Sequence, residues 1–354
     1  MKLKAHSHIL LISSVFILIF SAITFLLSLV SFHKKEAAML TSSQPCKDSN
    51  CTIDFFLKEQ GILEQRLQSE DAAEVYADIL STYKNSAPRN QHGIAHIFGE
   101  VLYKSRGLSG ITVCDGSFAF GCFHGLMVNA LPKEGLGSVQ QLDQMCNQKF
   151  GEYNLGCQHG LGHGIAEFYG SSRLNEALDT CATLSWKHQL MGCAGGVFME
   201  HVMPTLGGDT PGSVKISPVN EADPYTPCNK TKAFFKAECY YNIGSYYYYA
   251  TSKDTSSAFN LCQAIAEPFH KKTCLLGLGN AVYSNLRDIP QTIHNCSLTT
   301  DKESEISCRS GAAWLLYANP TTRNEAKKFC EDLTGLYKNN CLKDTNLIQL
   351  SLKY

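Results

Sequence analysis

His159, His163 and Glu167 stand at i, i+4 and i+8 in the segment GCQHGLGHGIAEF (156–168), so on a helix their side chains share one face. Two imidazoles at that spacing can chelate one metal ion, as the paired histidines of HExxH zinc helices do, although HExxH itself is absent here. The same H-x3-H-x3-E frame occurs earlier in HGIAHIFGE (92–100), with His92, His96 and Glu100. Between the two copies lies His124, followed by glycine as His92 and His159 are. His201, in GVFMEH (196–201), is an outlying sixth histidine about one turn further along its own segment.

Six histidines of this kind suit a divalent transition metal such as zinc, copper, iron or manganese. The metal ligands expected are therefore His92, His96, His124, His159, His163 and His201. Glu100 and Glu167 are the acids in phase with the cluster, and each is a candidate catalytic base or a carboxylate that orients a histidine. An ion held by three or four imidazoles keeps a position open for water or substrate. It could then activate water for hydrolysis or carry redox chemistry.

The elements that must hold these residues are marked by cysteine. After residue 100 the cysteines form seven couples. They are Cys114 with Cys122, Cys146 with Cys157, Cys181 with Cys193, Cys228 with Cys239, Cys262 with Cys274, Cys296 with Cys308, and Cys330 with Cys341. Second members follow one another at 35, 36, 46, 35, 34 and 33 residues, the length of a helix–turn–helix repeat. Polar-apolar helical patterns precede most first cysteines (SVQQLDQMC, RLNEALDTC, RNEAKKFC), and more apolar ones follow the second (CFHGLMVNAL, CAGGVFMEHV, CLLGLGNAVY). Each unit reads as helix A, a short loop and helix B, with the couple as an intra-repeat disulfide. Bridges between neighbouring units fit the spacing too, and Cys46 and Cys51 lie outside the array, able to pair with each other.

Residues 71–106 form a first hairpin without the staple, which makes eight in all. The fold class expected is all-α, a solenoid of about eight helical hairpins behind an N-terminal transmembrane helix. The array resembles tetratricopeptide and Sel1-like repeats in period alone; their consensus residues are absent. Equivalent B helices of a solenoid commonly line one concave surface, which would bring the histidines of the first three hairpins together.

Counting from the second cysteine of each couple, position three is glycine in five copies: Gly125, Gly160, Gly196, Gly277 and Gly311. A recurring glycine points to close approach of neighbouring helices. Gly162 and Gly164 lie outside that position and are expected to keep space clear around His159 and His163. The run SYYYYA (245–250) reads as two core-facing and two exposed tyrosines.

Residues 9–32 are an uncharged run long enough to span a bilayer, read as a single-pass signal anchor, with cleavage as a signal peptide the alternative. Residues 1–8 form a tail, 33–70 a stalk or linker, 71–354 the Cys-rich helical domain, and 204–227 a Pro/Gly-rich insertion within it. Lysines flank the apolar run on both sides, at Lys2, Lys4, Lys34 and Lys35, so charge does not orient it. Sixteen cysteines with no CxxC do, because they imply disulfides and an oxidising compartment. Sequons at Asn50, Asn229 and Asn295 agree with a glycoprotein outside the cytoplasm, in a periplasm, at a cell surface or in a secretory lumen.

A net charge of −1 with no basic cluster speaks against nucleic acid as a partner. Numerous couples 8 to 12 residues apart speak against thiol–disulfide exchange chemistry, and GxSxG is absent. Two functions fit. One is a membrane-anchored extracytoplasmic metalloprotein, hydrolytic or redox. The other is a disulfide-stabilised scaffold that binds a protein or peptide on its concave face without catalysis.

Overall fold

The computed structural model describes residues 53–151, 155–185, 190, 192–202, 218–318 and 322–351. Among these residues every regular element is helical. In chain order the α-helices are α1 (Ile53–Arg66), α2 (Ala72–Tyr83), α3 (Pro88–Arg106), α4 (Gly121–Glu134) and α5 (Val139–Phe150). There follow α6 (Leu155–Tyr169), α7 (Leu174–Ala182), α8 (Gly192–Val202), α9 (Ala233–Ala250) and α10 (Thr255–Gln263). The last are α11 (Pro268–Leu286), α12 (Ile289–Cys296), α13 (Lys302–Ala318) and α14 (Gly335–Ser351).

The boundaries follow local chemistry. Asp71 caps α2 by accepting from the Ala73 and Glu74 amides at 2.9 and 3.2 Å, and Asp288 caps α12 through Gln291. Pro88 and Pro268 open α3 and α11, where a missing N–H costs nothing. Gly107, at φ 60°, ends α3 in a conformation that a side chain would strain.

All seven couples are disulfides within one hairpin, and bridges between neighbouring units, which the spacing also allowed, do not form among them. Cys114 is bonded to Cys122, Cys146 to Cys157, Cys181 to Cys193 and Cys228 to Cys239. Further along, Cys262 is bonded to Cys274, Cys296 to Cys308 and Cys330 to Cys341. All fourteen half-cystines are buried. Each bridge ties a short first element, or the residues just past it, to the first or second turn of a long helix, and closing such a loop contributes about 3 kcal/mol in the chain-entropy picture. Three first elements are 3-10 turns instead of α-helices: Gly107–Thr112, Cys228–Lys230 and Arg323–Cys330. Cys46, Cys51 and the apolar run 9–32 lie outside the described residues. Among the described residues no helix is long and apolar enough to cross a membrane.

The long helices α3, α4, α6, α8, α9, α11, α13 and α14 pack one on the next in sequence order, with the short elements behind them. The recurring glycines lie in these contacts. A Cβ at Gly125 would overlap the His96 carbonyl oxygen; at Gly196 it would overlap that of His159, and at Gly277 that of Tyr241. Backbone thus meets backbone, and the close approach offsets the entropic cost of glycine in a helix.

The segment read as a stalk ends in α1, which buries Phe56 and Leu63 and packs on α3, with Leu67 buried just past its last residue. Its apolar residues recur at helical spacing and seat the helix on the core. Within SYYYYA, Tyr247 and Tyr248 are buried while Tyr246 and Tyr249 are half-buried. From the insertion, residues 218–227 are described; Pro218 and Pro224 carbonyls accept from Tyr246 and Tyr247 hydroxyls. Of the sequons, Asn229 is exposed, whereas Asn295 lies in α12 with its amide bonded to the Gln291 carbonyl.

Candidate metal centre

Three of the histidines converge. His124 on α4 and His159 and His163 on α6 each offer a ligand atom within 4.8 Å of the others. His159 and His163 come together because they are one turn apart on α6, and their Nε2 atoms lie 3.0 Å from each other. His124 reaches them because α4 and α6 approach closely: a Cβ at Gly164 would stand 2.6 Å from the Met127 carbonyl, and one at Gly160 2.8 Å from Phe123 Cβ. The His124 and His163 rings are 4.0 Å apart, centroid to centroid.

Helix α8 supplies what the sequence had not revealed. Glu200 Oε1 lies 2.6 Å from Nδ1 of His163, and the Gly192 carbonyl lies toward the His159 ring. That contact depends on Gly162, where a Cβ would overlap the Cys193 carbonyl oxygen, and on Gly196, which meets His159 in the same way. Gly162 and Gly164 were expected to clear space around the imidazoles. Both instead let neighbouring backbones touch, Gly162 against α8 and Gly164 against α4.

Protons are the decisive point. A neutral imidazole carries one N–H, and its partners show where it sits. In His163 the proton faces the Glu200 carboxylate on Nδ1, which leaves the Nε2 lone pair turned toward His159. The Nε2 atoms of the two rings face each other across 3.0 Å. Nε2 of His124 is also buried and has no hydrogen-bond partner. Three imidazoles arranged in this way could hold a metal ion, with carboxylate and carbonyl fixing ring orientation as they do around metal-bound histidines.

Burial keeps the rings neutral. Desolvation, aided by neighbouring imidazoles, lowers His163 to about 3 and His96 to about 3, and takes His124 and His159 well below the ordinary histidine range. Neutral imidazole is the form that binds metal.

The other expected ligands fall outside this converging group. His92 lies beside it, its ring 5.0 Å from that of His124, but its Nδ1 faces the Phe118 carbonyl at 3.1 Å. His96 follows, 6.3 Å from His92 ring to ring. His201 is half-buried and turned away from the group, because the residue after Glu200 points about 100° around the helix from it. Of the two expected acids, Glu100 accepts from Gln60 Nε2 at 3.0 Å and pairs with Lys104 Nζ at 2.9 Å. Glu167 is exposed, and partial burial together with the Glu200 charge raises its carboxyl above the usual range. Neither carboxylate joins the three histidines. The frame that puts both in phase with them describes one helix face, and at ten residues past the cysteine that face has left the cluster.

A cavity of about 380 Å³ opens beside the centre, lined by His92, His124 and His159 and, further along, by residues of α9, α11 and α13. Glu238 on α9 enters the same lining. It is buried, and it uses the room left by Gly195, where a Cβ would stand 2.8 Å from Glu238 Oε1 and 3.2 Å from His159 Nδ1. Glycine at Gly195 occupies the position that is histidine at His124 and His159 in the earlier units. Phe120 also lines the cavity, at the end of a left-handed turn in which Phe118, Ala119 and Phe120 have φ of 50°, 54° and 65°.

No protein-family model, curated protein or solved structure matches this chain.

Proposed function

We propose that the protein is a membrane-anchored extracytoplasmic metalloprotein, in which His124, His159 and His163 hold one divalent transition-metal ion beside the cavity. The observation that carries this reading is the convergence of three imidazoles whose ligand atoms all lie within 4.8 Å of one another, with Nε2 of His124 unpartnered and the Nε2 atoms of His159 and His163 3.0 Å apart. A divalent transition-metal ion is the group that such a set of ring nitrogens accommodates. Seven disulfides agree with an oxidising compartment. The apolar run 9–32 supports the anchor. The recurrence of period, staple and glycine supports a solenoid of about eight hairpins as the frame.

The ion would supply Lewis-acid or redox chemistry to a molecule in the cavity. The chain's own residues set the ligand geometry, keep three imidazoles neutral, and exclude water from their rear faces. Elemental analysis of the full chain, purified from an oxidising host without added metal, tests the reading beside a His159→Ala/His163→Ala variant. About one equivalent of zinc, copper, iron or manganese, absent from a variant that still folds, supports it. No metal in either protein, even after metal is offered back, leaves the disulfide-locked scaffold as the function.

A further inference from the structure

The lining of the cavity includes two hydrogen-bond donors that meet no acceptor. Tyr241 on α9 is 8% exposed and Trp314 on α13 is 7% exposed. The Tyr241 hydroxyl and Trp314 Nε1 are both shut off from solvent, and neither has a hydrogen-bond partner. The two rings belong to one small apolar cluster with Leu155 and Leu276, and both residues line the cavity that His124 and His159 also line. A buried donor left unpaired forfeits its hydration with nothing in return. An indole N–H can only donate, so the missing partner is an acceptor.

The surroundings narrow its nature. Phe120, Leu155, Met199 and Leu315 contribute apolar wall, and about 380 Å³ is within the range of small-molecule sites. Glu238 stands one turn before Tyr241 on the same helix and is buried, its Oε1 accepting from Asn242 Nδ2 at 2.7 Å. A carboxylate brought to Tyr241 would stand beside that carboxyl in a poorly hydrated place, where burial disfavours a charge, whereas an uncharged oxygen carries no such cost. Arg89 and Arg287, which also line the cavity, are solvent-exposed.

We infer that the cavity binds a largely apolar small molecule through a neutral carbonyl oxygen, which accepts from the Tyr241 hydroxyl and Trp314 Nε1. The inference names the substrate class for the metal centre and rests on reading the cavity as its substrate chamber. Its test does not require the metal.

The chain has two tryptophans, Trp186 and Trp314, so an indole-15N-labelled full chain gives two N–H resonances, assigned with Trp186→Phe. The probes are N-methylbenzamide, methyl benzoate and acetophenone, with isopropylbenzene as the carbonyl-free counterpart and benzoate as the charged one. Carbonyl probes are expected to move the Trp314 indole proton downfield in a saturable way and to bind at least tenfold tighter than isopropylbenzene. Tyr241→Phe should remove about tenfold of that affinity while metal content and the Trp314 resonance of the free protein stay as they were. Equal binding of isopropylbenzene, no effect of Tyr241→Phe, or no shift with any carbonyl probe up to its solubility would overturn the inference. Tighter binding of benzoate than of N-methylbenzamide would overturn its neutral-oxygen part. Running the series on chelated and metal-loaded protein separates the two readings. Carbonyl binding without any metal uptake removes the metalloprotein alone, and metal uptake without carbonyl binding removes this inference alone.

Discussion

The Glu200 carboxylate lies 2.6 Å from Nδ1 of His163, and the two residues come from helices whose backbones touch at Gly162 and Gly196. Four residues separate Gly196 from Glu200, and Gly162 immediately precedes His163, so the crossing point of α6 and α8 sets the carboxylate–imidazole pair. The residues that allow the helices to meet and those that tune the centre therefore form one construction. Neither set accounts for the site alone.

Glu200→Gln keeps the size of the side chain and removes its charge. An amide oxygen still accepts from Nδ1, but it no longer raises the basicity of the ring. Metal affinity is expected to fall about 10- to 100-fold, with the thermal transition of the metal-free protein nearly unchanged. Competition against a chromophoric chelator measures it. Wild-type affinity in the variant would show that Glu200 only packs against His163.

The sequence made His124, His159 and His163 legible because helical spacing and the cysteine frame put them at equivalent points. Intra-hairpin disulfides were legible for the same reason, as was the role of the recurring glycines. Glu200 was not, since its place depends on how α8 crosses α6, and a periodicity within one helix says nothing about the register between two. Gly162 looked specific to the histidines because it does not share the position of Gly125 and Gly160; its real neighbour is the carbonyl of Cys193, a long-range contact. Glu100 shared the phase of the histidines but was drawn to Lys104 and to Gln60 of α1, the one helix within the segment read as a stalk. Tyr241 and Trp314 carried no signal, because an unsatisfied donor exists only once the fold has buried it.

Gly162→Ala places a methyl group where the Cys193 carbonyl already stands. The helices must separate, and the expected loss is about 1–3 kcal/mol of stability, with metal affinity falling alongside it. Gly61, exposed in α1 with open space where its Cβ would go, is the contrast: Gly61→Ala should stabilise by about 0.5–1 kcal/mol through helix propensity. Thermal melts of both variants with intact disulfides decide the matter. Equal effects at the two positions would mean that the α6–α8 contact is more compliant than the backbone overlap implies.

Ala119 is exposed and sits in the middle of the left-handed turn, at φ 54° and ψ 46°. A side chain there costs about 1–2 kcal/mol that glycine avoids, against about 0.4–1 kcal/mol for the freedom glycine adds to the unfolded chain. Ala119→Gly is expected to raise stability by about 0.5 kcal/mol, whereas Ala119→Val should lower it by more. Because the turn aims the Phe118 carbonyl at His92 and the Phe120 ring into the cavity, the Ala119→Gly protein should keep wild-type metal content. A lower melting temperature for Ala119→Gly than for the wild type would show that the turn is not strained.

The chelated protein should be sensitive to mild acid. His92, His96, His124, His159 and His163 are all lowered from the ordinary value of about 6.5, chiefly by burial, with His96 and His163 at about 3. The folded state therefore keeps them neutral while the unfolded chain takes up protons. The stability associated with these groups is fully present above about pH 6.5 and is lost as the pH falls from there toward 3. Each histidine contributes a slope of up to about 1.4 kcal/mol per pH unit wherever it is neutral in the folded chain and protonated in the unfolded one, so the slope steepens as the pH falls below about 6.5. Urea titrations of the metal-free chain between pH 7.5 and 4.5 measure this slope. A His124→Phe/His163→Leu variant, with two fewer buried imidazoles, should show a shallower one. Bound metal holds the histidines in the folded state and moves the onset of acid unfolding to lower pH. Equal slopes for the wild type and the double variant would mean that the imidazoles take up protons in the folded state, and that burial alone does not hold them neutral.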